Sequence, residues 1–234
     1  FLSGGMNLAD GANLTVNSQG GAIQIVGAVT GTSAENITLN SGATGSATVA
    51  VNDIGASNQI HTVTITGTDG VTLNGDITTD NTSGASVSIT GPVTLTTDGG
   101  TGITIDTDAA SHGGSITFAS TATIDGNHSL TLISGAGDIA LQGVIGGDTA
   151  IASLSVNATD GDDGNIEIAN IGDANGVGVV GAASIGNSDT AELKLDGTIL
   201  FPEIGSISVA GESFSDVKEK LSNSASRLIG PNCP

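Results

Sequence analysis

The chain has 234 residues, 24 acidic and four basic side chains and a formal charge of −20, and no Lys or Arg precedes Lys194. Such a field excludes nucleic acid and anionic membranes as partners, and residues 1–193 lack the fixed cation that much catalytic chemistry needs. Hydrophobic residues make up 37%, with no Trp, no Tyr and four Phe, so the core must be built from Ile, Val, Leu and Ala.

That palette suits a core one side chain deep from each wall better than the wide, aromatic-filled interior of a β-sandwich. No apolar run approaches the roughly 18 residues of a membrane-spanning helix. The chain opens at Phe1 without a visible signal peptide and reads as a processed mature chain or a piece of a longer one. The single cysteine, Cys233, allows no internal disulfide.

In chain order, short segments alternate apolar residues with Thr, Ser or Asn. They are Ala22–Val26, Asn36–Asn40, Thr48–Asn52, Thr62–Thr66, Ser86–Thr90, Val93–Thr96, Ile103–Asp106, Ser115–Phe118, Ser129–Leu132, Asp138–Leu141, Ser153–Val156 and Asn165–Ile168. A period of two puts apolar side chains on one face of a strand and polar ones on the other. Turn formers separate the segments at Gly67–Gly70, Asp98–Gly100, Gly146–Asp148 and Gly161–Gly164. Helical periodicity is absent before residue 210.

Similar strand starts recur at Val63, Val87, Ser129, Ser153 and Val177, with one more at Ser115 inside the long interval between Val87 and Ser129. A repeat of about 20–24 residues is the length of one coil of a parallel β-solenoid. Facing sheets also use short strands, but the two-residue Asn-Gly turns that favour hairpins between long alternating runs are absent. The expected fold is all-β, a parallel β-helix (β-solenoid) over 1–191. About eight coils at the spacing of paired strands would make a rod of roughly 40 Å.

The runs Gly114–Gly126, Ser129–Asp148 and Ser153–Val156 resemble the filamentous-haemagglutinin-like and related β-strand-repeat adhesins of bacterial surfaces. The resemblance covers about residues 60–170 and rests on a style of repeat. It implies a right-handed parallel β-helix on the cell exterior with adhesive or structural roles.

The C-terminal part, 192–234, reads as a small α+β cap or docking segment. Leu195–Gly205 and Ile207–Gly211 read as strands and Ser213–Leu228 as a helix, a strand–strand–helix unit. Phe214, Val217, Leu221 and Leu228 share one helical face, with Ser213 and Asp216 at its start and Gly230-Pro231 at its stop. That apolar face would cap the last coil or dock a subunit. Asp196-Gly-Thr-Ile199, Phe201-Pro202, Gly205 and Val209-Ala-Gly211 are similar to part of the outer-membrane polysaccharide export family. Over 192–229 this implies the local fold and an envelope-associated setting.

Candidate sites are few. Asp160, Asp162, Asp163 and Asn165 form the densest cluster of oxygen ligands, in a Gly-rich turn that can wrap a Ca²⁺ ion, although the full EF-hand spacing and its terminal Glu are missing. Calcium is the one candidate cofactor. Asp106 and Asp108 make a weaker pair. His61, His112 and His128 are far apart in sequence, with no Cys or Glu at metal-ligand spacing. Thr-x-Thr pairs such as Thr64/Thr66 and Thr94/Thr96 invite comparison with water-ordering, ice-binding solenoids. Thr is favoured on exposed strands in any case, and the pairs recur irregularly along the chain.

No nucleophile elbow is present. β-Helix polysaccharide lyases employ Lys or Arg, and sugar platforms employ Trp or Tyr; the solenoid part holds none of these. The expected function is therefore non-enzymatic: an extracellular, cell-surface structural or adhesive protein, self-assembling into a filament or surface layer, with a glycan or cell-surface partner. The alternative is a carbohydrate-binding or carbohydrate-processing β-helix, since paired carboxylates suffice for glycoside hydrolysis.

Overall fold

A computed structural model describes residues 3–80, 84–96, 100, 102–108, 113–158, 164–172 and 178–186. It also describes the strand backbone at 192–194, 198–201 and 205–208, and Lys218 and Lys220. The chain winds as a parallel β-solenoid with three faces. The first face stacks β2 (Leu14–Asn17), β5 (Asn36–Asn40), β7 (Thr62–Thr66), β10 (Ser86–Thr90), β13 (Ser115–Phe118), the start of β16 (Ile139–Ile145) and β18 (Ile166–Ile171). The second holds β3 (Ile23–Ile25), β6 (Thr48–Val51), β8 (Gly70–Leu73), β11 (Val93–Leu95), β14 (Ile124–Asp125) and the end of β16, which turns the corner between the two. The third holds β1 (Met6–Asn7), β4 (Val29–Thr30), a bridge at Ile54, β9 (Ile77–Thr78), β12 (Gly102–Asp106), β15 (Ser129–Ile133), β17 (Ser153–Asn157) and β19 (Ala183–Gly186).

Period-two alternation explains the stacking. Each strand turns its Ile, Val or Leu inward, and a parallel register brings like over like. On the first face one inner column runs Leu14, Ile37, Val63, Val87, Ile116, Ile139, Ile166, and the next runs Val16, Leu39, Ile65, Ile89, Phe118, Leu141, Ile168. The second face adds Ile23, Val49, Val71, Val93, Ile124, Ile145 and Ile171. Side chains from the three walls meet in one continuous core. It is the thin aliphatic interior expected of the composition, with Phe118 its one described aromatic.

Two expectations need correction. Among the described residues the first face has seven rungs, hence about six turns and about 30 Å of stack rather than eight coils and 40 Å. Each turn takes more chain than the apparent repeat because the corners vary in length. The intervals between similar strand starts were also not all measured on one wall. Val87 lies on the first face and Ser129 on the third, so the sequence spacing compared positions on different walls.

Beyond the solenoid, β20 (Glu192–Lys194), β21 (Thr198–Phe201) and β22 (Gly205–Ser208) form an antiparallel meander. Three strands thus stand where two were expected. Lys218 and Lys220 are helical; the rest of the expected helix lies outside the described residues. Among the described residues, no helix is long and apolar enough to cross a membrane.

Candidate functional site

Of the expected calcium ligands, Asp160, Asp162 and Asp163 lie outside the described residues, as do Phe214, Val217, Leu221 and Leu228. Asn165 is described, and its position gives it a structural task. Its backbone N–H and its Nδ2 both donate to Asp138 Oδ1, at 2.8 and 3.2 Å, one turn below. The same device recurs along this edge of the first face. Asn36 donates its backbone N–H and Nδ2 to Asn13 Oδ1, at 3.0 and 2.8 Å, and Thr62 Oγ1 donates to Asn36 Oδ1 at 2.5 Å.

Acidic residues do similar work at the corners. Asp53 Oδ1 accepts from the N–H of Asp76 at 3.0 Å, Asp76 Oδ1 from Thr104 at 2.7 Å, and Asp69 Oδ2 from Ala47 at 2.8 Å. Asp125 Oδ1 accepts from both Asp148 and Thr149, at 2.8 and 2.9 Å. Where the chain leaves a strand, backbone N–H groups lose their ladder partners, and a carboxylate one turn away satisfies them. Five of the described Asp residues, 53, 69, 76, 125 and 138, thus stitch coil to coil. Asp106, read in sequence as half of a cation-binding pair, accepts the N–H of Asp108 at 2.8 Å in a local Asx turn.

The most developed polar site is one that sequence reasoning passed over. Glu35 is fully buried at the corner before β5. Its Oε1 accepts from Thr32 Oγ1 at 2.5 Å and from the N–H of Gly11, in the preceding turn, at 3.2 Å; its Oε2 accepts from the N–H groups of Thr32 and Ala34 at 2.7 and 3.2 Å. Burial by itself would raise the carboxyl pKa. The hydrogen bonds from Thr32, Ala34 and its own N–H outweigh it and bring the value from 4.5 down to about 2. The site also holds Ser33 in a left-handed conformation, φ 81°. A signal existed in Thr32-Ser-Ala-Glu35, the spacing at which a Glu reaches back to an N–H three residues earlier.

A folded-state pKa below the unfolded one gives stability that is complete above pH 4.5 and is lost as pH falls toward 2. Glu35 is expected to contribute on the order of 2–3 kcal/mol at neutral pH. In urea melts from pH 7 to pH 2, Glu35→Gln should start less stable and lose less on acidification than the parent. Parallel pH profiles would contradict this role.

His61 Nδ1 lies 3.0 Å from Asp80 Oδ1; Asp80 is 3% exposed and His61 is partly exposed. His128 precedes β15, two rungs on from β9, and His112 lies outside the described residues. Among the described residues, no three His, Cys, Asp or Glu side chains are grouped to hold a metal ion. A hollow of about 380 Å³ opens on the inner side of the first turn, lined by Met6, Leu14, Val16, Ile23 and Ile25, with Ser18 and Gln24 among its polar members. It is core surface of the first turn, with no acid–base pair in its walls. The site residues thus hold coils together. No family model, curated protein or solved structure matches the chain.

Proposed function

We propose that the chain is a non-enzymatic structural and adhesive protein of the cell exterior, assembling as rods into a filament or surface layer. The observation that carries this reading is the unbroken stack. Aliphatic columns run the length of the described solenoid, and every turn is hydrogen-bonded to the next by parallel ladders and by side-chain stitches. Such a body resists local opening because each coil is held on both sides.

The resemblance of residues 60–170 to bacterial β-strand-repeat adhesins supports the surface setting. So does the lack of Lys and Arg through residue 193, which leaves trypsin no cleavage site there. Trypsin is expected to leave a fragment ending at Lys194 whether the chain is native or in urea, as mass spectrometry would read. The assembly reading is tested by electron microscopy and sedimentation over rising concentration and salt, where screening weakens repulsion between acidic rods. Filaments or sheets are the expected result; single rods under every condition would remove assembly from the reading.

A further inference from the structure

The first face presents something the sequence spacing concealed. Its central outward row is Thr15, Thr38, Thr64, Ser88 and Thr117, aligned rung over rung by direct strand pairing. These residues are 23, 26, 24 and 29 positions apart, so they look irregular along the chain. The corners absorb the differences, and in space the hydroxyls recur once per rung, about every 4.8 Å.

Three properties separate this face from an ordinary exposed sheet. The outward positions flanking the row on these five rungs are Asn, Thr and Ser, with Ala119 as the one apolar member; none is charged, in a chain of charge −20. None of the five hydroxyls hydrogen-bonds within the described residues, whereas neighbouring Thr62 is tied to Asn36. Four of the five are Thr, whose branched Cβ restricts χ1 and fixes where the hydroxyl and methyl point. The row ends at Ala140 and Glu167 on the next two rungs, so the grid is about 20 Å long.

A neutral, periodic row of hydroxyls fits a partner that is itself uncharged and periodic. Anionic polymers are repelled by the surrounding carboxylates, and sugars lack any aromatic platform on which to stack. Ordered water satisfies every condition, because oxygen rows on the faces of hexagonal ice repeat at nearly the rung spacing. We propose that the first face of the solenoid binds ice. Water held between successive hydroxyls is already placed near lattice positions, so little ordering remains to be done when the face meets a crystal. Each contact is weak, and engagement of all five rungs at once makes the attachment effective. The inference does not depend on assembly, since a single rod carries the whole face.

The test uses the full chain labelled with a fluorophore at its only thiol, Cys233. An ice hemisphere grown in dilute labelled protein is expected to take up the dye, and ice recrystallisation should slow. Thr64→Lys, at the exposed centre of the row, should reduce uptake about tenfold or more, the signature of losing at least 1.4 kcal/mol of attachment. Thr94→Lys, exposed on the second face, should leave uptake unchanged, with circular dichroism confirming that both variants fold. Exclusion of the parent chain from ice overturns the proposal. So does uptake of Thr64→Lys equal to the parent's, and equal losses in both variants overturn the assignment to this face.

Discussion

Phe118→Ala is expected to destabilise the solenoid by about 3–5 kcal/mol. Phe118 is fully buried, seated in the inner column between Ile89 below and Leu141 above. In a layered globule, neighbours relax into such a cavity. Here the walls are held at fixed spacing by ladders on both sides of the rung, and the interior is one side chain deep, so little can move inward. Phe118→Leu keeps most of the volume and is expected to cost less than about 1.5 kcal/mol. Because a solenoid is stabilised turn against turn, the cavity should also divide the stack at that rung. Urea unfolding of Phe118→Ala should therefore begin earlier and broaden or split. A single transition at the parent's midpoint would show that the interior is more plastic than the columns imply.

Gly137→Ala is expected to cost about 3 kcal/mol, a large effect for one methyl group. Gly114, Gly137 and Gly164 stack at the corner leading into the first face, where successive turns pass almost in contact. A Cβ on Gly137 would lie 2.4 Å from the carbonyl carbon and oxygen of Gly114 and 2.9 Å from the nitrogen of Ser115. One on Gly164 would lie 2.0 Å from the carbonyl oxygen of Gly137. These obstacles are backbone atoms, and the carbonyls of Gly114 and Gly137 are themselves held by the hydroxyls of Thr107 and Ser134, so no side chain can swing aside. Gly186→Ala is the matched control, since nothing lies within 4 Å of its Cβ, and it should be nearly neutral. Thermal melts of the pair would decide the matter: equal midpoints would mean that the corner opens freely.

The strands were legible because alternation is a local property. Thr62-Val-Thr-Ile-Thr66 or Ser129-Leu-Thr-Leu132 declares which residues face inward without reference to anything distant. The aliphatic composition likewise pointed to a narrow interior. The number of turns was less legible, because equal sequence intervals do not mark equal positions on a three-walled coil whose corners differ in length. The polar sites were hidden for a related reason. Asp138 and Asn165, or Gly11 and Glu35, are partners only because one turn of chain returns to the same height. Asp53, Asp69, Asp76 and Asp125, which carry no such signal along the chain, likewise receive N–H groups from the adjoining coil.

Residue identity and order alone made residues 1–191 all-β, with a thin aliphatic interior, and left the first 193 residues without a positive side chain. These follow from residue identity and from a period of two, both readable within five residues. Which rung lies over which is fixed only in the folded stack, and with it that Glu35 is a buried lock, that three glycines must stay small, and that Thr15, Thr38, Thr64, Ser88 and Thr117 form one row. Register depends on the length of every corner between two strands. That length sums over residues with no periodic signal and becomes definite only when the parallel ladders close.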